Sequence, residues 1–297
     1  MTDSLKSSIE DILHQATGEK VSVELGISLS GGCINNATSV KTSLGETLFL
    51  KYNENAEPFM FRAEANGLEE LSKAETLRIP RVYGYSDKDS EDAPFILMEY
   101  IASGPKGKGF YEAFGRGFAE MHRVTKSQYG FSEDNYIGST PQINGWMDNW
   151  TDFFREKRLG YQISLAQKSG LWDSQADRWW EVLSSRLEEF IGTPHEPPSL
   201  LHGDLWSGNY MTGPEGEPCI IDPAVYYGSR EADLAMTEVF GSFDSRFYDA
   251  YRESYPIEPD YKDRSEIYKL YHLMNHLNLF GRSYEGSVKA LLKRFGS

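Results

Sequence analysis

Cysteine is scarce: the 297 residues contain two, Cys33 and Cys219, so no disulfide framework holds the fold and no CxxC or Cys/His group has zinc-ligand spacing. No apolar stretch approaches the roughly 20 residues that a membrane-spanning helix needs. The N-terminus, Met1 to Glu10, is polar and acidic rather than a basic segment leading into an apolar run. Basic residues are in deficit, 30 Lys plus Arg against 45 Asp plus Glu, giving a formal charge of −15. That deficit excludes broad binding to nucleic acid or to an anionic membrane, because both need clustered cations to displace counterions. GxxxxGK[ST] is missing, which disfavours a P-loop nucleotide fold, and there is neither a solenoid-period repeat nor a low-complexity tract. A cytoplasmic protein without nucleic-acid or membrane partners is expected.

What is present suits a globular chain. Hydrophobic residues make up 39% and aromatics 13%, enough for a substantial core, and the length suits two packed lobes. Leu5, Ile9, Ile12 and Leu13 recur at helical spacing within Ser4 to Gln15, and Phe61, Ala65, Leu68 and Leu71 do so within Phe59 to Ala74. Val21 to Leu29, Ala37 to Lys41, Leu48 to Lys51, Arg81 to Tyr85 and Phe95 to Tyr100 read as strands. The Gly-rich run Ala102 to Gly109 marks a boundary, dividing the chain into 1–101 and 102–297. Beyond it, Tyr111 to Arg123, Trp146 to Ser169, Asp173 to Phe190 and most of Arg264 to Phe295 read as helices, with short strands around Leu200-Leu201 and Cys219-Ile220-Ile221.

One segment concentrates polar chemistry. His202-Gly203-Asp204-Leu205-Trp206-Ser207-Gly208-Asn209 places a carboxylate five residues before an amide, and Asp222 follows a short hairpin later. Phosphoryl transfer from a nucleotide needs a base for the hydroxyl proton, hard oxygen ligands for Mg²⁺ and a cation for the phosphates. Asp204, Asn209 and Asp222 supply the first two types; Lys51 at a strand end supplies the third, with Glu64 on the next helix placed to pair with it. Each residue alone has a bland reading, as a turn aspartate or a solvated lysine. Their order, from lysine through helical glutamate and apolar strand to HGDxxxxN and a final aspartate, is the order a kinase fold requires.

Leu201 to Asn209, Ile221-Asp222-Pro223-Ala224, Gly31-Gly32-Cys33-Ile34-Asn35, Phe61 to Ala65, Trp150 to Leu159, Arg230 to Met236 and Tyr271 to Leu277 together resemble the fructosamine kinase (ketosamine 3-kinase) family. That family lies within the protein-kinase-like superfamily of aminoglycoside phosphotransferases and choline kinases. The resemblance implies an α+β, bilobal protein-kinase-like fold: a nucleotide-binding lobe over 1–101 with a small antiparallel sheet plus helix, and a larger, mostly helical catalytic and substrate-binding lobe over 102–297. It implies ATP and Mg²⁺ as cofactors and phosphorylation of the 3-hydroxyl of a ketose joined to an amine, giving an unstable product that releases the amine. Carried over by position, Asp204 accepts the proton, Asn209 and Asp222 hold Mg²⁺, Lys51 with Glu64 positions phosphate, and Met98, Glu99, Tyr100 and Ile101 offer backbone to adenine. Asp233 is implied to tie down the catalytic loop, with Arg230 ordering its surroundings.

Gly31 and Gly32 would let backbone N–H groups approach the phosphates. Cys33, beside them, is either an inert small side chain or an oxidisable thiol able to link a homodimer. Trp206 and Trp146 offer flat apolar faces to a sugar, Trp206 the more so because it stands between base and amide. Two alternatives stay open: a small-alcohol kinase of the aminoglycoside or choline type, and a catalytically silent nucleotide-binding protein of the same fold.

Overall fold

The computed structural model describes residues 3–29, 35–87, 93–192 and 194–297. In chain order the elements are α1 (Asp3–Thr17), β1 (Val23–Leu29), β2 (Asn36–Thr42), β3 (Thr47–Tyr52), α2 (Met60–Ser72), β4 (Val82–Ser86), β5 (Phe95–Glu99) and α3 (Phe110–Met121). There follow β6 (Asn135–Ile137), β7 (Thr140–Gln142), α4 (Trp150–Phe153), a π-helical stretch (Phe154–Gly160), α5 (Tyr161–Lys168), α6 (Ser174–Ser185), α7 (Leu187–Ile191) and β8 (Ser199–Leu201). The remainder is β9 (Tyr210–Thr212), β10 (Pro218–Ile220), β11 (Tyr226–Gly228), α8 (Arg230–Val239), α9 (Ser245–Ser254), α10 (Tyr261–Phe280), a 3-10 turn (Arg282–Tyr284) and α11 (Glu285–Gly296). Among the described residues no helix is long and apolar enough to cross a membrane.

Two units emerge, Met1–Phe110 with Met211–Asp222, and Tyr111–Tyr210 with Pro223–Ser297. The first is built on an antiparallel sheet in the order β1-β2-β3-β5-β4. Leu5, Ile9 and Leu13 of α1 share a core with Val23, Val40, Leu48, Leu50, Phe95 and Leu97. Side chains alternate along a strand, so Leu48 and Leu50 commit one face of β3 to that core and Lys51 takes the other.

This division differs from the one expected after Ile101, for a reason that hydrophobic periodicity does not carry. The chain returns at 211–222 and is stitched into the first unit by Gly104 N–H donating to Thr212 O (3.1 Å), Gly107 N–H to Gly216 O (3.0 Å) and Ile220 N–H to Arg78 O (3.1 Å). A Cβ at Gly104 would lie 2.5 Å from the Gly213 carbonyl oxygen, so that close approach requires glycine.

The second unit is mainly helical, with α8 packed on α10, α6 on α11 and β8 against α8; β8 pairs antiparallel with β11. Its core is aromatic: Phe114, Phe118 and Phe247 in one cluster, Trp150, Phe153, Phe154, Tyr226, Tyr268 and Tyr271 in another. The helix expected from Trp146 begins at Trp150, where the Asn149 side chain caps Asp152 N–H. It then passes into π geometry over Phe154–Gly160. The helix expected over Asp173 to Phe190 is interrupted at Arg186. The last helical stretch is cut at Gly281, whose φ of 80° ends α10.

Candidate active site

In the first unit the alternation of β3 delivers Lys51 to α2. Its ammonium donates to both oxygens of Glu64 at 2.9 Å and to Asp222 Oδ1 at 3.0 Å. Burial alone would lower the Lys51 pKa, but the charges of Asp222 and Glu64 outweigh it and hold the group above its ordinary value, so the lysine stays cationic. Lys51 and Glu64 are nearly enclosed, whereas the Asp222 side chain is 41% exposed. Asp222 also adopts a left-handed backbone, φ 54°, a conformation that costs a non-glycine residue about 1–3 kcal/mol and that recurs at functional sites.

Met98 and Glu99 end β5, and Tyr100 and Ile101 follow it. Glu99 is partly spent on structure: its N–H donates to Arg81 O at 2.8 Å and its carboxylate pairs with Arg78 at 2.6 Å. Arg78 also pairs with Glu217 of the returning hairpin. Met98 and Ile101 are buried and Tyr100 is exposed. Cys219 is buried in that hairpin, where burial pushes its thiol up to about 11, so it is packed and unreactive. Gly31, Gly32 and Cys33, with the expected redox-linked dimer, lie outside the described residues.

In the second unit the loop after β8 is anchored from below. Asp233, on α8, accepts the N–H groups of His202 (2.7 Å) and Gly203 (2.8 Å) and meets His122 Nε2 at 3.2 Å. Burial would raise the Asp233 pKa, yet the donors around it bring it below the usual carboxylate range. Burial lowers the His122 pKa, which keeps the imidazole neutral. It then donates from Nε2 and accepts the Tyr251 hydroxyl at Nδ1, 2.7 Å away. Gly203 has φ 82°, and a Cβ there would sit 1.9 Å from Ala224 O; glycine is obligatory because the Ala224 N–H also donates to His202 O (2.8 Å).

Asp204 follows this turn. The Asn209 Nδ2 donates to its carbonyl (2.8 Å) and to Oδ2 (3.2 Å), so the five-residue spacing read from sequence closes a compact loop. Trp206, within it, packs edge-on against Phe240 at 5.9 Å. Phe240 continues to His276 (4.3 Å) and Tyr284 (6.4 Å), and His276 to Phe280 (5.3 Å). This partly exposed aromatic wall escaped the sequence reading, although His276, Phe280 and Tyr284 recur every fourth residue. Trp146 lies elsewhere in the same unit: it is 40% exposed and leans on Tyr227 at 6.2 Å.

Known proteins resemble this chain along nearly its whole length. The fructosamine kinase family profile matches residues 5–296. The chloroplastic protein-ribulosamine 3-kinase of Oryza sativa subsp. indica is 42% identical over 269 residues, covering 89% of this chain and 77% of that one. A crystal structure of a fructosamine-3-kinase, named as putative, from Haemophilus somnus superposes with a TM-score of 0.87 at 30% identity, covering 97% and 96% of the two chains. Aminoglycoside phosphotransferase APH(4)-Ia, in ternary complex with ADP and hygromycin B, shares the fold alone, at TM-score 0.61 and 17% identity over 98% and 99%. An α+β chain of protein-kinase-like fold matched from end to end in this way belongs to the fructosamine kinase family.

Proposed function

We propose that this protein is an ATP-dependent kinase that transfers the γ-phosphoryl group to the 3-hydroxyl of a ketosamine. The observation that carries this reading is the Lys51 ammonium held by Glu64 and Asp222. Two anionic partners around one enclosed cation form a prepared phosphate-binding group, and catalysis of phosphoryl transfer rests on positioning and charge. Lys51 is assigned to the α/β phosphates, with Glu64 holding it in place. The backbone of Met98 to Ile101 is assigned to adenine, a role that Glu99's existing bonds push toward Tyr100 and Ile101. Gly31 and Gly32 are assigned to the phosphates.

Asp204 is assigned as the acceptor of the hydroxyl proton. The bond from Asn209 Nδ2 fixes one Asp204 oxygen and makes Oδ1 the acceptor end of the Asn209 amide. Asp222 and Asn209 therefore offer hard oxygen donors of the kind Mg²⁺ takes. Among the described residues no three His, Cys, Asp or Glu side chains gather as a metal cage. Bound Mg²⁺ would neutralise phosphate charge. The wall from Trp206 to Tyr284 offers apolar faces to the sugar and to the methylene stem of a glycated lysine.

Relatives named as ribulosamine and fructosamine 3-kinases support the ketosamine class. Phosphorylation at the 3-position would destabilise the adduct and release the amine, a deglycating reaction suited to the cytoplasm. The test is ADP formation measured in parallel on fructoselysine, ribuloselysine, erythruloselysine, choline and kanamycin. Turnover confined to the first three supports the assignment, and turnover confined to the last two overturns it.

A further inference from the structure

Arg158 belongs to the π-helical stretch and is wholly inaccessible to solvent. A guanidinium at that depth ordinarily has a carboxylate partner. Among the described residues, the oxygens that Arg158 hydrogen-bonds by distance are neutral: Ile143 O at 2.8 Å, Lys157 O at 3.3 Å and Asn144 Oδ1 at 2.8 Å. Its Nε has no acceptor. Ring faces of Tyr226 (4.0 Å), Phe153 (4.5 Å) and Tyr271 (5.7 Å) surround the charge, a setting that suits a weakly hydrated guanidinium better than an ammonium. Extended π geometry is rare and concentrates at functional sites.

What the side chain does follows from hydrogen-bond arithmetic. Arginine can only donate, so Asn144 must turn its oxygen toward Arg158 and its Nδ2 away. That Nδ2 donates to Glu133 O at 3.0 Å and to Asn135 Oδ1 at 3.1 Å. Asn135 Oδ1 also receives Gln142 Nε2 at 2.8 Å, so Asn135 must in turn donate, which it does to Val225 O at 2.7 Å. Gln142 Nε2 reaches Ala224 O at 3.0 Å, and its own oxygen accepts the Tyr271 hydroxyl at 2.7 Å. Three side-chain amides, each able to flip in isolation, are thus forced into one direction that ends on two consecutive carbonyls. Those carbonyls lie two and three residues after Asp222 in the chain, and the N–H of Ala224 holds His202 O, two residues before Asp204.

We propose that Arg158 is a positioning residue: by setting the polarity of the Asn144–Asn135–Gln142 relay it fixes the Ala224 and Val225 carbonyls, and through them the segment that carries Asp222 and braces the Asp204 loop. The catalytic half of this inference rests on the phosphoryl-transfer reading; the structural half does not.

The test compares wild type with Arg158→Met, Arg158→Lys and Tyr271→Phe. In Arg158→Met the relay loses its director, and amide exchange over residues 222–228 should accelerate about tenfold while exchange in the first unit's sheet is unchanged. At saturating substrates kcat should fall between about tenfold and a hundredfold, the scale expected for misplacement by up to an ångström, and the half-saturating Mg²⁺ concentration should rise. Arg158→Lys, which keeps a donor, should recover part of both. Tyr271→Phe removes one donor from Gln142, so it reads the same relay more gently should the methionine variant not fold.

Wild-type exchange over 222–228 in a folded variant, or a drop in Tm with kcat and Mg²⁺ dependence unmoved, overturns the proposal. If wild type phosphorylates no ketosamine, the functional reading fails, and the exchange measurement still decides the role of Arg158.

Discussion

Replacing Asp233 by asparagine changes almost no volume and removes one charge, which makes it a sharp probe of the catalytic loop. The carboxylate accepts from His202 N–H at 2.7 Å and Gly203 N–H at 2.8 Å, with His122 Nε2 at 3.2 Å. An amide has one oxygen, so whichever way the substituted side chain turns, its NH₂ group faces an N–H donor. The stranded N–H costs about 1–3 kcal/mol, and loss of charge assistance at the surviving bonds costs about 0.5–1.5 kcal/mol more at each. The total, about 2–6 kcal/mol, would appear as lost stability of the second unit, as displacement of the loop, or as both. Since a displacement near 1 Å costs on the order of a hundredfold in rate, kcat should drop about 10²-fold, with the KM for ATP less affected because Lys51 and Glu64 are untouched. Steady-state ADP release together with amide exchange at His202 and Gly203 reads both effects. Wild-type protection of those two amides with kcat within about threefold of wild type would refute the reasoning, since loop displacement by about 1 Å is its premise.

Asp204→Asn should reduce kcat by about 10²–10⁴-fold, the usual worth of a general base, with nucleotide binding by calorimetry near wild type; near-normal turnover removes the assigned role. Glu64→Gln weakens the grip on Lys51 by roughly 1.5–3 kcal/mol, so kcat/KM for ATP should fall about 10- to 100-fold, and an unchanged value would detach the pair from phosphate positioning. His272 is buried, and burial lowers its pKa to about 3. The unfolded chain therefore takes up a proton near pH 6.5 that the folded protein refuses, and stability present above that pH is lost as pH falls, by about 1.4 kcal/mol per unit. His272→Leu should flatten urea-unfolding stability against pH between 6.5 and 4.5, and a slope equal to that of wild type would show that His272 is not the group responsible.

Local order was legible in the sequence because it is written in periodicity. The sheet strands and α1, α2 and α3 fall within a few residues of where alternation and helical spacing put them, and HGDxxxxN marks the loop that Asp233 anchors. Long-range pairing is written differently. Nothing in the composition of Met211 to Asp222 shows that it rejoins the first unit, since the join is made by backbone groups of Gly104, Gly107 and Arg78 and by the pairing of Arg78 with Glu217, far apart in the chain. The π register of Phe154–Gly160 has the same apolar residues as an α-helix would. His276 reads as a packing residue until Trp206 and Phe240 stand beside it. Arg158 reads as one more surface cation until its burial is seen.

The most direct measurement is phosphorus–proton correlation NMR on the product formed from ribuloselysine or fructoselysine with ATP and Mg²⁺, using wild type and Asp204→Asn side by side. A new sugar-phosphate signal coupled to the proton on carbon 3 is expected, formed by wild type and missing with the variant. A phosphate on a different hydroxyl, or equal product from both proteins, would contradict it.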